Sequence, residues 1–159
     1  MMRILALLTC FNRISKTVRC IETLAGQKGV KIDFIVVDDK SMDGTAETLK
    51  QYDNVFVLEG DGGLYYSGGM RLAIEAAKHR QEGLYDYVLF VNDDVDFYSH
   101  SIEHLIRYLG EEQAIMVGAT ECEGELTYGG VVRTSFFKPS YKKVMSTGAE
   151  RKTCDTFNA

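Results

Sequence analysis

Short apolar runs alternate along the chain with segments in which apolar residues recur every three or four positions. The apolar runs at residues 4–8, 34–37, 55–58 and 87–91 are rich in β-branched or aromatic side chains. Such runs predict buried strands, and the run at 87–91 predicts a strand that is buried on both faces. We expect two more strands at residues 114–118 and 126–132.

The segments between these strands have the spacing of amphipathic helices. The apolar residues that repeat at this spacing are Ile14, Val18, Ile21 and Leu24; Met70, Ala73, Ile74 and Ala77; and Ile102, Leu105, Ile106 and Leu109. A shorter helix is expected over residues 46–51. Alternating strands and helices predict an α/β fold with a mostly parallel central sheet flanked by helices.

Composition narrows the class of protein. The chain has 159 residues, a formal net charge of −5 and no basic cluster, which argues against a nucleic-acid partner. The four cysteines have no C-x-x-C spacing, so neither a zinc site nor a redox pair is indicated. No apolar run reaches membrane-spanning length. We therefore expect a cytoplasmic protein without a membrane span, and attachment to the inner face of the membrane through partners stays open.

Polar residues follow three of the predicted strands, at residues 9–13, at Asp38 and Asp39, and at residues 92–96. The carboxyl ends of parallel strands meet at one edge of a sheet, where ligands bind. Two like charges about 4 Å apart repel by roughly 4 kcal/mol near a protein surface, so crowded carboxylates need compensation. Mg²⁺ or Mn²⁺ would supply it, since these ions prefer oxygen ligands. A solvated acidic turn that caps the next helix is the alternative.

A glycine-rich stretch at residues 60–69 precedes the helix that contains Met70. It does not fit G-x-G-x-x-G, so a dinucleotide fingerprint is not supported. Gly68 and Gly69 would allow close approach of the backbone to a ligand, with the helix N-terminus facing an anion. The alternative is a loop whose glycines supply unusual turns. Tyr65 and Tyr66 either stack on a base or sugar or anchor the loop.

Together these segments resemble a known family. The matching segments, in order between residues 3 and 97, are Thr9-Cys10-Phe11-Asn12-Arg13, Asp38-Asp39-Lys40-Ser41-Met42-Asp43-Gly44-Thr45, Gly60-Asp61-Gly62, Ser67-Gly68-Gly69-Met70-Arg71 and Asn92-Asp93-Asp94-Val95. The sequence is similar to family 2 inverting glycosyltransferases of the GT-A fold, near the rhamnosyltransferase-like branch. The resemblance implies transfer of a sugar from a UDP or dTDP donor to the hydroxyl of a saccharide or lipid-linked acceptor, assisted by Mg²⁺ or Mn²⁺.

The resemblance also implies a set of site residues. The expected donor-binding residues are Thr9, Phe11, Asn12, Arg13, Asp38, Asp39, Gly68, Gly69, Arg71, Asn92 and Asp93. Within this set, Thr9, Asp39 and Arg71 would line the nucleotide pocket, and Asp39 would accept a hydrogen bond from the base. Asp94 would hold the metal, aided by Asp96, and Asp93 would meet ribose or metal. Asn92 stands where the family most often has Asp, which leaves the metal with fewer carboxylates.

The expected organisation is a nucleotide-sugar-binding α/β domain over residues 1–133, followed over 134–159 by a mobile loop and the start of a truncated acceptor-side segment. The resemblance places the catalytic base beyond Ala159. The three glutamates at positions 121, 123 and 125 are expected in an exposed hairpin turn. Two other functions stay open: a non-catalytic nucleotide-binding fragment, and a phospho-acceptor signalling domain, which would need an acidic pair after the first strand. A homodimer also stays open.

Overall fold

The computed structural model describes residues 1–80, 84–110, 113–135, 140–144 and 154–155. The chain divides into two compact units, Met1–Glu103 and His104–Ala159. The elements up to the boundary are β1 (Met2–Cys10), α1 (Ile14–Ala25), β2 (Val30–Asp38), α2 (Thr45–Leu49), β3 (Val55–Glu59), α3 (Tyr65–Arg80), β4 (Tyr87–Phe90) and α4 (Ser101–Leu109), which crosses it. No described helix has the length and apolar character needed to span a membrane.

Four parallel strands form the sheet of the first unit, in the order β3-β2-β1-β4. β1 lies in the middle, and its Leu7 is in register with Ile35 of β2 and Phe90 of β4. Because side chains alternate between the two faces of a strand, burial of both Leu7 and Leu8 means that both faces of β1 are covered. Because β1, β2 and β4 are parallel, the polar residues that follow them lie at one edge of the sheet.

One face of the sheet packs against α3. Met70 and Ala73 of α3 form a buried cluster with Leu7, Ile35 and other apolar residues of β1 and β2. The helix α1 packs against β2 and buries Cys20, Ile21 and Leu24. These contacts confirm the predicted helical faces of both segments. They also show that α1 buries polar residues, such as Thr17, that the apolar pattern did not include.

The strand β4 differs from its prediction. Val88 is 53% exposed and Phe90 is 47% exposed, so the expectation of a strand buried on both faces is wrong. Among the described strands, β4 pairs only with β1 and forms the edge of the sheet. Leu5 and Leu7, the partners of these two residues in β1, are buried under α3, but the cover does not extend over the edge strand.

The second unit contains two antiparallel hairpins, β5 (Thr120–Cys122) with β6 (Glu125–Tyr128) and β7 (Val131–Ser135) with β8 (Ser140–Lys143). The first has its turn at Glu123 and Gly124, both with positive φ. This confirms the hairpin turn that was predicted around the glutamates at positions 121, 123 and 125.

Three other predictions in this part of the chain need correction. Residues 114–118 form no strand. The strand expected over 126–132 is two strands, β6 and β7, interrupted at Gly129 and Gly130. The loop expected from residue 134 is wrong for Thr134, Ser135 and Ser140–Lys143, which belong to the strands of the second hairpin, while 136–139 and 145–153 lie outside the described residues. The predicted boundary at 133/134 stays a prediction beside the division at Glu103.

Candidate functional site

The loops after β1 and β2 are joined at the carboxyl edge of the sheet. The backbone N–H of Asn12 donates to Ser41 Oγ at 2.8 Å, and Asn12 Oδ1 accepts from the N–H of Met42 at 2.7 Å. Ser41 donates its N–H, at 3.2 Å, and its hydroxyl to Oδ1 of Asp38, which is 2% exposed. A buried carboxylate is costly unless donors surround it. Asn12 and Asp38, both predicted to bind the donor, thus connect the two loops.

The carboxylate of Asp43 connects the starts of two helices. Its Oδ2 accepts from the N–H of Ile14 at 3.0 Å, and its Oδ1 accepts from the N–H of Thr45 at 3.1 Å and from the Thr45 hydroxyl. These hydrogen bonds, that of the hydroxyl first, hold the pKa of the Asp43 carboxyl below its usual range. For Asp43 the structure therefore supports the helix-capping alternative, because the first N–H groups of a helix have no partner within it.

Asp39 is buried beneath the glycine-rich loop. Its two carboxylate oxygens accept the backbone N–H groups of Gly62, Leu64 and Tyr65 at 2.8, 2.9 and 3.0 Å. The residue is 6% exposed. The predicted contact between Asp39 and a nucleobase stays a prediction, and the structure adds a partner for this carboxylate that the sequence did not indicate.

The acidic end of β4 is organised around Arg13. Its Nη1 lies 3.3 Å from Asp93 Oδ1 and 3.3 Å from Asp94 Oδ2. The Asp93 side chain is 9% exposed, and Thr17 Oγ1 donates to its second oxygen at 3.4 Å. Burial raises the pKa of the Asp93 carboxyl, and the Arg13 guanidinium opposes that rise. The structure thus brings together Arg13, Asp93 and Asp94, which the sequence placed at the ends of separate strands.

The carboxylates at this edge could hold a divalent cation only together with other ligands, such as substrate phosphates. Among the described residues, no group of three or more His, Cys, Asp or Glu could enclose a metal ion. Asp96 pairs with Arg19 at 2.7 Å and its side chain is 48% exposed, whereas Asp94 pairs with Arg13 at the longer distance of 3.3 Å and its side chain is 40% exposed. Mg²⁺ is commonly held by one or two carboxylates plus substrate phosphates. Both carboxylates fit that arrangement, and the longer ion pair leaves Asp94 less strongly bound to its arginine than Asp96 is.

The first turns of α3 lie against the end of β1. Thr9 Oγ1 donates to the carbonyl of Val37 at 3.1 Å, and a Cβ at Gly69 would come within 2.8 Å of Thr9 Cβ. A Cβ at Gly68 would lie 3.1 Å from Leu64 Cβ. These glycines therefore allow α3 to approach neighbouring side chains of the chain itself, and their predicted approach to a ligand stays a prediction.

The other predicted site residues are more exposed. Phe11 is 53% exposed after β1, and Arg71 is exposed on α3. Asn92 is also exposed, but its backbone carbonyl accepts the Cys20 thiol at 3.4 Å. Burial raises the pKa of that thiol to about 12, so it is a neutral donor.

Sequence reasoning missed a polar face of α1 that holds the loop after β4. Besides the contacts of Thr17 and Cys20, Thr23 Oγ1 accepts the N–H of Phe97 at 3.2 Å. Just beyond the helix, Gln27 donates to the carbonyl of Tyr98 at 2.9 Å. The signal was present in the spacing, since residues three or four apart share one face of a helix. An apolar pattern does not show it, because three of the four residues on this face, Thr17, Thr23 and Gln27, are polar.

Residues 6–156 match the family described as Glycosyl transferase family 2. The chain belongs to this family. Membership in this family contradicts the alternative of a phospho-acceptor signalling domain. Such a domain would need an acidic pair at the end of β1, where this chain has Cys10 and Phe11. The mostly parallel sheet flanked by helices is the GT-A fold that the sequence predicted.

Solved glycosyltransferase structures support the same fold. S. aureus TarS (residues 1–349) is 21% identical over 68% of this chain and 32% of its own, with a TM-score of 0.55. The mannosyltransferase PcManGT from Pyrobaculum calidifontis, in complex with GDP-Man and Mn²⁺, is 17% identical over 75% of this chain and 34% of its own, with a TM-score of 0.53. The chain thus spans about a third of the length of these structures. No curated protein sequence matches it significantly.

Proposed function

We propose that this chain binds a nucleoside diphosphate sugar at the carboxyl edge of its sheet, as part of an enzyme that transfers the sugar to an acceptor hydroxyl with inversion. One observation carries the proposal. In a chain of glycosyl transferase family 2, Arg13 lies between Asp93 and Asp94 directly after β4, at the edge where parallel sheets bind ligands.

The charges at this edge favour a diphosphate only if cations accompany it. Asp93 and Asp94 would repel the phosphate oxygens, and Arg13, whose side chain is 49% exposed, is the cation already between them. A guanidinium binds phosphate oxygens well because its N–H groups form a planar fork. We assign Asp94 as the carboxylate that would hold Mg²⁺ or Mn²⁺. When bound, such an ion neutralises charge on the departing diphosphate.

The similarity to PcManGT supports the proposal of a divalent metal ion and of a nucleoside diphosphate sugar as donor, since that protein is in complex with GDP-Man and Mn²⁺. For the present chain, the UDP or dTDP donor and the rhamnosyltransferase-like branch stay predictions from the resemblance. The saccharide or lipid-linked acceptor and the homodimer also stay predictions.

Inversion requires a base that removes the proton from the acceptor hydroxyl as it attacks the sugar. The carboxylates after β4 are poorly suited to this role, because Asp93 and Asp94 face Arg13, and Asp96 faces Arg19. Glu121 and Glu125 lie on the first hairpin of the second unit. We assign none of these residues as the base, and a non-catalytic nucleotide-binding chain remains the alternative function.

Calorimetry tests the proposal. UDP, dTDP, GDP and ADP are titrated into the protein with Mn²⁺ and then with a chelator. We expect saturable binding of at least one of these diphosphates, stronger in Mn²⁺ than in chelator. Absence of binding by all four in both conditions would contradict the proposed function. Release of free sugar from a bound nucleotide sugar would separate an enzyme from a non-catalytic binder.

A further inference from the structure

Arg13 contacts both aspartates that directly follow β4, and these two aspartates differ in burial. One nitrogen of the guanidinium, Nη1, lies 3.3 Å from Asp93 Oδ1 and 3.3 Å from Asp94 Oδ2. The Asp93 side chain is 9% exposed, whereas the side chains of Asp94 and Arg13 are 40% and 49% exposed. The guanidinium is thus shared between a buried carboxylate and an accessible one.

The backbone that carries Arg13 is fixed on both sides. Asn12 precedes it and is joined to the loop after β2 by hydrogen bonds with Ser41 and Met42. The carbonyl of Arg13 accepts the N–H of Thr17 at 2.9 Å, at the start of α1, and the Arg13 side chain does not cap that helix. Exposed side chains change rotamer within nanoseconds, much faster than packed elements move. The guanidinium can therefore exchange partners while the backbone stays in place.

The two contacts of the guanidinium differ in what it costs to break them. A buried carboxylate that loses its positive partner is left as an uncompensated charge, so Arg13 is held firmly by Asp93. An exposed ion pair contributes little, because water replaces the lost partner. Arg13 can consequently leave Asp94 at a lower cost than it can leave Asp93.

The carboxylate of Asp94 is also the one that the proposed function assigns to a divalent ion. An ion bound there would lie beside the guanidinium, and like charges repel. A nucleoside diphosphate changes this balance in two ways. Its phosphate oxygens accept the N–H groups of a guanidinium, and they are themselves ligands for Mg²⁺ or Mn²⁺.

We propose that Arg13 competes with the divalent ion for Asp94, and that the phosphates of the nucleotide relieve this competition by binding the guanidinium. Arg13 is then a positioning residue, which makes tight binding of the ion depend on the nucleotide, while Asp93 keeps the guanidinium at the site. The inference rests on the proposed function. It predicts that loss of Arg13 strengthens the binding of Mn²⁺ when no nucleotide is present. If Arg13 only held the two aspartates in place for the ion, its loss would weaken that binding.

Titration of the protein with Mn²⁺ in the absence of nucleotide tests this sign. The free ion is measured by electron paramagnetic resonance for the unmutated protein, Arg13→Gln and Arg13→Lys. We expect Arg13→Gln to bind Mn²⁺ roughly ten-fold or more tightly than the unmutated protein, because the competing charge is gone. Arg13→Lys keeps the charge and should stay within about three-fold of the unmutated protein. Equal or weaker binding by Arg13→Gln, or no detectable binding by either protein, would overturn the inference.

Lys16→Gln is the matched control, because it removes one positive charge from the first turn of the same helix. Lys16 is exposed, and among the described residues it forms no ion pair with Asp93 or Asp94. We expect its Mn²⁺ affinity to stay within about two-fold of that of the unmutated protein, since exposed charges are screened. An equal gain in Lys16→Gln would show that net charge, and not the contact of Arg13, sets the affinity.

The double variant Arg13→Gln/Asp94→Asn locates the gain. We expect the added substitution to remove the increase in Mn²⁺ affinity that Arg13→Gln produces. A gain that persists in the double variant would place the ion away from Asp94 and reject the competition.

The guanidinium NMR signal of Arg13, identified by its loss in Arg13→Lys, tests the inference in the unmutated protein and does not depend on the folding of Arg13→Gln. We expect this signal to shift when UDP and Mg²⁺ are added together. An unchanged signal, while calorimetry shows that UDP binds, would overturn the inference and leave the proposed function intact. If no nucleoside diphosphate bound while Arg13→Gln gained Mn²⁺ affinity as expected, the proposed function would fail and the competition between Arg13 and the ion would stand.

Discussion

At the scale of single residues, the aspartates at the carboxyl edge differ in their hydrogen-bond and ion-pair partners, and therefore in how accessible their carboxylates are to a ligand. Asp38 is buried and takes its donors from Ser41, while Asp43 takes its donors from the starts of two helices. Asp93 is buried between Arg13 and Thr17. Asp94, with its side chain 40% exposed, is the more accessible of the two aspartates that contact Arg13.

The first prediction concerns Asp94. We expect Asp94→Asn to weaken nucleoside diphosphate binding in Mn²⁺ by roughly ten-fold or more and to have little effect in chelator, because the substitution removes the negative charge that attracts the ion. Titration calorimetry of both proteins in both conditions measures the difference. Asp96→Asn is the comparison, because Asp96 has the shorter ion pair, with Arg19 at 2.7 Å, and we expect it to lose less affinity in Mn²⁺ than Asp94→Asn does. An equal loss with and without Mn²⁺ would exclude Asp94 as a metal ligand.

A second prediction concerns Asp43 and pH. Its pKa is lowered in the folded chain, chiefly by the Thr45 hydroxyl and the Ile14 N–H, so the folded chain binds fewer protons at this site than the unfolded chain does. The resulting stability is present above the unfolded pKa of about 3.9 and is lost as the pH falls through the lower folded value. Asp43→Asn keeps the shape but does not titrate.

Chemical unfolding of these two proteins across pH tests the sign of this effect. The free energy of unfolding of the unmutated protein should exceed that of Asp43→Asn above about pH 4, and the difference should shrink toward lower pH. Asn accepts helix-start N–H groups about as well as Asp does, so the difference is that of the negative charge, typically about 0.3–1 kcal/mol at an exposed helix start. Parallel curves for the two proteins would show that the Asp43 pKa is the same in the folded and unfolded chains.

At the scale of secondary-structure elements, α1 determines where the loop after β4 lies. Thr17, Cys20 and Thr23 contact that loop from one face of the helix, and Gln27 extends the face beyond it. Arg13 stands directly before the first residue of the same helix. One helix thus sets both the position of the acidic loop and the cation that faces it.

A third prediction tests this coupling through Gln27, which is 6% exposed. Its Nε2 donates to the carbonyls of Thr23 and Tyr98, and its Oε1 accepts the N–H of Ile102 at 3.2 Å. Gln27→Leu removes these hydrogen bonds, and we expect a loss of about 1–3 kcal/mol in the free energy of unfolding, the usual cost of an unsatisfied buried group.

The control for this measurement is Lys28→Leu, which introduces the same side chain at the next, exposed position. It should leave the unfolding free energy within about 0.5 kcal/mol of the unmutated protein, as surface substitutions usually do. Equal stability of Gln27→Leu and Lys28→Leu would contradict a role for α1 in holding the loop.

The elements also show what a sequence pattern can predict. The strands β1 to β4 were predicted because each is a short apolar run, and the helices α1, α3 and α4 because apolar residues recur in them every three or four positions. The exposure of Val88 and Phe90 was missed because an apolar run is the same at the edge of a sheet as in its centre. The hydrogen bonds between Asp39 and the glycine-rich loop were not predicted, since polar residues after a strand are typical of both ligand sites and loop anchors.

At the scale of the whole molecule, the described contacts of the candidate site lie within the unit Met1–Glu103. The family match extends to residue 156, so it also covers much of the second unit. The sequence predicted that second unit poorly. Residues 114–118 are apolar but form no strand, and Ile115 is 78% exposed, because an apolar run forms a strand only when a partner strand pairs with it.

The most direct test of the proposed site is the effect of Mn²⁺ on the amide signals of the protein, recorded by NMR in the presence of UDP. A bound paramagnetic ion broadens the signals of nearby amides. We expect selective, saturable broadening at residues 10–13 and 92–95, and we expect Asp94→Asn to abolish it. Broadening centred elsewhere, or unchanged broadening in Asp94→Asn, would contradict a donor site at the carboxyl ends of β1 and β4.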